Sequence, residues 1–335
     1  MGSPLTIFRK TQISAVLEIS LRPPTSAAHH AHTKMKFVIR TLIVLLLAII
    51  AAPRAAVAGT NTVTKANGHQ AASRESVRVA VTNSWLESCV KDLLGRHESV
   101  ETVRLAPPGS CPGHFDMKPG DLARVEGCVA LLRFDFQAPI EEHFARIGAG
   151  APPVIVVPGP KGLCVPENYL ATCEALAQQL RAVLPEIGAD SWDRALANLR
   201  ERMDRLSRQT RDEVERMGLA GAPVIASAHQ AVFCKWLGLN VVATFSAADT
   251  ASPAPLESLV ARGREAGVRF VIGNLQEGTQ AGEALAHHLG AKLAVFSNFP
   301  PMTPDKQFFD QLVQDNLFAL ERACLLYTSP SPRDS

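Results

Sequence analysis

The chain has 335 residues, 47% hydrophobic and 20% charged, a globular composition with length enough for two domains. Its 34 Lys and Arg stand against 32 Asp and Glu, so no positive excess argues for a nucleic-acid partner. Function has to be read from sites.

Met35 opens a segment with positive charge at Lys36 and Arg40, an apolar run over 42–52, and Ala56-Val57-Ala58 ahead of Gly59. This is the layout of a secretory signal peptide cleaved after Ala58, with Met35 as the expected true start. The run is shorter than the roughly 20 apolar residues of a membrane span. No Cys follows it, so a lipid anchor is not indicated. Residues 1–58 are thus an upstream extension plus signal peptide, and the His29, His30 and His32 cluster within them is incidental. Residues 59–75 read as a flexible leader, and residues 324–335, which resemble a translated sequencing adaptor, as a non-native tail.

From Ser76 on, strands and helices alternate. Val77, Val79 and Val81 mark a strand, and Trp85, Leu86, Cys89, Val90, Leu93 and Leu94 a helix. Strands follow over 100–106, 128–133 and 153–157, with short helices near 121–126 and 139–147. A helix over 167–184 completes an N-terminal α/β lobe, 76–188. The rhythm restarts in a C-terminal lobe, 218–323, with strands over 223–227, 239–245, 268–272 and 292–296. Helices there are expected over 256–266, 280–289 and 305–322.

Between the lobes, residues 189–217 contain neither Pro nor Gly and lie between Gly188 and Gly218. Trp192, Leu196, Leu199, Met203, Leu206, Thr210, Val214 and Met217 recur at spacings of four and three, one apolar stripe on a helix about 40 Å long. The alternatives are an ordinary amphipathic core helix or a coiled-coil dimer. The strand-helix alternation on both sides favours a linking helix. The fold class is therefore α/β, with two lobes, each a parallel sheet flanked by helices, joined by a single long backbone helix. Ligands of such sheets bind at the carboxyl ends of the strands.

His114, Glu167 and His229 each follow the carboxyl end of a predicted strand, and two imidazoles with a carboxylate form a metal-ligand set. Singly, His114 reads as a loop residue, Glu167 as an acid in a first helical turn, and His229 as a residue at a helix start. Their shared topological position speaks for a site. His287 and His288, adjacent on a helix and about 100° apart, do not serve one ion together, and His143 reads as surface.

Over residues 77–323 the chain resembles the zinc/manganese solute-binding receptors of ABC importers. Pro112-Gly113-His114-Phe115 is similar to that family's P-H-x-aromatic loop, with a Gly inserted. Val165-Pro166-Glu167-Asn168-Tyr169-Leu170 is similar to its D-P-H-x-W-L segment, with Glu167 in place of His. Ser227-Ala228-His229-Gln230-Ala231-Val232-Phe233 is similar to its S-H-x-A-F segment, and Asn298 falls where the family has Asp. The resemblance implies a monomeric periplasmic receptor that captures a divalent transition metal at His114, Glu167, His229 and Asn298. Zinc is the first expectation, with manganese or iron sharing its nitrogen and oxygen ligands, and the partner is an inner-membrane permease. A secreted metal-dependent hydrolase using the same His/Glu set is the alternative, although no H-E-x-x-H helix is present. A receptor for a small organic ligand is a third class. Cys111 and Cys164 lie at matched offsets before His114 and Glu167, so a disulfide joining those loops is expected.

Overall fold

The computed structural model describes residues 76–95, 97–110, 118–144, 148–250, 253–302 and 309–328. The chain divides between Ala71 and Ala72 into two units, and all described residues belong to the second. The expected signal segment and leader, with His29, His30 and His32, lie outside the described residues, as do Cys111 and His114. Among the described residues no helix is long and apolar enough to cross a membrane.

Two four-stranded sheets, every pairing parallel, form the architecture. The first contains β1 (Val77–Val81), β2 (Val100–Arg104), β3 (Ala130–Phe134) and β4 (Val154–Val157) in the order β2-β1-β3-β4. The second repeats it as β6-β5-β7-β8, from β5 (Pro223–Ser227), β6 (Asn240–Phe245), β7 (Phe270–Asn274) and β8 (Lys292–Phe296). In each sheet the chain leaves the first strand to one side and returns on the other. A crevice therefore opens between the carboxyl ends of β1 and β3, and another between those of β5 and β7, where α/β sheets place their ligands.

The helices follow from capping and burial. Asn83 opens α1 (Ser84–Leu94) by accepting from the amides of Trp85 and Leu86, both at 3.0 Å, which satisfies two of the four orphan donors. After α2 (Pro119–Val125), a 3-10 turn over Asp135–Ile140 precedes the short α3 (Glu141–Phe144). One helix is expected across 139–147, and Pro139 fixes the tighter turn because it has no amide to donate. Next come α4 (Pro166–Val183) and the 28-residue α5 (Ala189–Arg216). In the second half stand α6 (Ala231–Trp236), α7 (Ala247–Thr250), α8 (Pro253–Glu265), α9 (Gln280–Leu289) and α10 (Phe309–Thr328). The last described helix runs past 322, where the sequence reading ends it, and Cys324 still packs against the shared core.

The α5 stripe is buried as the spacing predicts, with Trp192, Leu199, Met203, Leu206, Thr210 and Val214 inside. It packs on α1 and α4 of the first lobe and on α10. One core therefore runs continuously from Val79 in the first sheet to Ile272 in the second and on to Leu320 in α10, while each sheet's other face has a smaller core of its own. Trp85 anchors the shared core: it is fully buried, its indole donates to the Leu163 carbonyl at 2.8 Å, and its ring meets Tyr169 edge-on at 5.1 Å. Phe309 of α10 stacks on Tyr169 at 4.0 Å, so the last helix closes the first lobe's aromatic cluster as well as covering β8. Beside it Asp92, with only 1% of its side chain exposed, accepts from both Arg202 of α5 (2.8 Å for one contact) and the Tyr169 hydroxyl at 2.7 Å. Arg202 also lies 3.9 Å from Asp310 of α10.

Candidate metal centre

The site has to come from the loops at the carboxyl ends. Glu167 is the second residue of α4, after Pro166 at the first helical position. Its carboxylate accepts from Ser207 and Arg211 of α5, each at 3.2 Å, and the Glu167 and Arg211 side chains are each 52% exposed. Pairs this open contribute at most about 1 kcal/mol, so the salt bridge does not lock Glu167 in place. The Arg211 guanidinium also lies 5.0 Å over the Trp236 ring.

His229 stands two residues before the start of α6, in the turn that follows β5, and its ring is 62% exposed. Its Nε2 lies 3.3 Å from Oε1 of Glu277, in the turn Leu275–Glu277 after β7. The other oxygen of Glu277 accepts from the Ser227 hydroxyl at 2.5 Å. His229 and Glu277 thus flank the crevice between β5 and β7.

Asn298, after β8, is buried in a web of neutral amides. Its side-chain oxygen accepts from Gln230 at 3.1 Å, its side-chain nitrogen donates to Asn274 at 3.3 Å, and its backbone amide donates to Gln276 at 3.0 Å. Gln230 donates to Asn274 as well, at 3.0 Å. The remaining acceptor, Gln230 Oε1, is buried with no partner among the described residues. Gln276 crosses to the first lobe, donating to the Gly109 carbonyl at 2.9 Å. This fixes the β7 turn against the loop that follows β2.

Cys164 lies between the lobes as a free thiol. Its Sγ is 3.1 Å from the Ser297 carbonyl and accepts from Asn316 of α10 at 3.4 Å. The expected disulfide with Cys111 is therefore not formed: the sulfur is turned toward the second lobe's β8 loop. Burial pushes this thiol well above its ordinary range, and the Asn316 hydrogen bond opposes the shift only in part. It therefore stays protonated at neutral pH. Two residues earlier Gly162, at φ +83°, holds the loop so close to α6 that an added Cβ would lie 2.7 Å from Val232.

Of the four residues expected at the site, His114 lies outside the described residues. Glu167, His229 and Asn298 hold three separate sets of partners. No three His, Cys, Asp or Glu side chains gather among the described residues in a way that could hold a metal. The pairing that does form, His229 with Glu277, includes a residue that the sequence reading missed. Its signal was available: Asn274-Leu275-Gln276-Glu277 follows the carboxyl end of a buried strand, the criterion that selected the other candidates. His287 and His288 sit with ring centroids 5.8 Å apart and planes at 81°. A groove of about 740 Å3 lies elsewhere, between α1 and α5, lined by Glu87, Lys91, His97, Arg194 and Asn198 among others. None of the candidates lines it.

Two parallel sheets with matching order, packed along one long helix and meeting through their carboxyl-end loops, define a two-lobed α/β fold. Residues 164–323 match the family model described as zinc-uptake complex component A, periplasmic, which bears out the resemblance read in the sequence. Among solved structures, the Mn-bound periplasmic metal binding protein from Candidatus Liberibacter asiaticus superposes with a TM-score of 0.62 at 13% identity, covering 74% of this chain and 100% of its own. A crystal structure of ZnuA gives 0.60 at 17%, covering 74% and 98%, and a zinc-bound ZnuA deletion mutant gives 0.59 at 17%, covering 77% and 100%. These likenesses show the fold. A search of curated proteins finds no match.

Proposed function

We propose that the protein is a periplasmic receptor that captures a divalent transition metal, zinc first and manganese or iron after it, and passes it as a monomer to the permease of an ABC importer. The match of residues 164–323 to the periplasmic zinc-uptake component carries this reading. The metal-bound state of the structural neighbours supports it. The cargo would sit between the lobes, held by His229 from the second lobe, with Glu167 and the sequence-level candidate His114 from the first. Glu167 would exchange its exposed contact with Arg211 for the ion, and its charge offsets part of the dication. Asn298 enters as the weakest of the four, because its oxygen already accepts from Gln230. The role is capture and delivery without turnover.

Elemental analysis of protein purified without added metal, followed by competition among zinc, manganese and iron, tests the reading. Stoichiometric metal with zinc preferred is the expected result. Protein that takes up no metal, or that when loaded turns over hydrolase substrates, would overturn it.

A further inference from the structure

We infer that Glu277 is a direct metal ligand, supplying with His229 one edge of the coordination shell from the second lobe. The inference rests on the receptor reading above and assigns the position that the sequence reading gave to Asn298.

The topology puts both residues at the same crevice: His229 follows β5 and Glu277 follows β7, the adjacent strands between which the chain order reverses. The separation fits ligation. Two ligand atoms bound at about 2.0–2.2 Å to one tetrahedral ion lie about 3.4 Å apart, and His229 Nε2 stands 3.3 Å from Glu277 Oε1. A charge-assisted hydrogen bond between the same groups would be nearer about 2.7–2.9 Å. The two carboxylate oxygens are also differentiated. Ser227 donates to Oε2, fixing the plane of the group and leaving Oε1 for a cation, the arrangement by which outer-shell partners orient ligands.

Two further observations agree. Gln276, beside Glu277, is tied across the cleft to Gly109, so the turn faces the first lobe and is held there. Gln230, beside His229, keeps a buried oxygen that no described donor satisfies, an acceptor of the kind that a bound ion's water would fill. Asn298 lacks these features: its side-chain oxygen and nitrogen are both taken within the amide web. Glu277 brings a negative charge where Asn298 brings none, which matters for holding a dication away from water.

The experiment compares the full chain with Glu277→Gln, Asn298→Ala and His229→Ala, each titrated with zinc against a chromophoric chelator. It adds Glu277→Cys loaded with cobalt(II). Direct ligation predicts that Glu277→Gln weakens zinc by about 100-fold or more and Asn298→Ala by under about 10-fold. It also predicts that the Glu277→Cys protein shows a thiolate-to-cobalt charge-transfer band that the parent lacks. If Glu277→Gln binds zinc like the parent while His229→Ala does not, Glu277 is no ligand and the receptor reading stands. A weakened Glu277→Gln without the charge-transfer band makes Glu277 an orienting partner of His229 and overturns ligation. A parent that binds no zinc removes the receptor reading and this inference together. Thermal melting checks that the isosteric Glu277→Gln is folded; if it is not, the cobalt spectrum decides.

Discussion

The two crevices share one topology and carry opposite chemistry. Between β1 and β3, Thr82 donates to Gln137 at 2.7 Å, Gln137 also accepts from the Phe134 amide at 3.0 Å, and Asn83 is spent capping α1. Even the carboxylate there, Asp135, accepts from the backbone amides of Phe136 and Gly159. Between β5 and β7 stand an exposed imidazole, a carboxylate with one oxygen committed, and a buried amide oxygen without a described partner. A parallel sheet supplies the place for a site, and the side chains decide whether that place is a plug or a socket. Among the described residues of the first crevice, local groups satisfy one another.

Breaking the socket gives the largest effect. His229→Ala is expected to lower zinc affinity by about 100-fold or more with an unchanged melting midpoint, read by chelator competition and calorimetry. Breaking the plug gives the converse. Gln137→Ala takes away the buried acceptor of the Thr82 hydroxyl and the Phe134 amide and is expected to cost about 1–3 kcal/mol of stability, with zinc affinity equal to the parent's. If Gln137→Ala instead impairs zinc binding at full stability, the division between plug and socket fails. Glu167→Gln falls between them. It should weaken zinc by roughly 10-fold and leave stability within about 1 kcal/mol, since only an exposed pair with Arg211 is lost.

That middle case shows what the sequence made legible. The α5 stripe and the strand-helix alternation of the two lobes are written in local periodicity, and the structure reproduces them. The Glu167 partners were not legible. Ser207 and Arg211 come from the polar flank of α5, and no spacing rule says which of its many charged residues will face the start of α4. Glu277 went unread for another reason: an acid just ahead of a helix passes as an ordinary first-turn residue, and its pairing with His229 depends on which strands are neighbours. The Asn298 web is likewise a property of three loops, after β5, β7 and β8, that only the sheet order brings together.

A smaller effect sharpens the contrast at high pH. Burial pushes the Cys234 thiol from its ordinary 9.0 up to about 12 and raises Cys164 as well. Below pH 9 these thiols are protonated in both the folded and unfolded chain. Above it the unfolded chain releases protons that the folded one retains, so stability is expected to fall as pH rises from 9 toward 12. Chemical denaturation across that range checks the sign, and a Cys234→Ser, Cys164→Ser protein should show a shallower decline. The smallest expected change is in shape. An unbroken helix without Pro or Gly bends only gently, and its Arg202 reaches Asp92 of α1 and lies 3.9 Å from Asp310 of α10. Solution scattering should therefore give closely similar radii of gyration with and without zinc.

The place of Phe309 also sets an order of events during synthesis. Trp85 and Tyr169 emerge early, yet the ring that stacks on Tyr169 comes from α10, after the whole second sheet. A nascent chain halted before α10 has strands and helices for its first lobe but lacks one wall of that lobe's aromatic cluster. Contacts so distant in sequence form late, because the loop between them must close first. The first lobe therefore stays incompletely packed until α10 has been made.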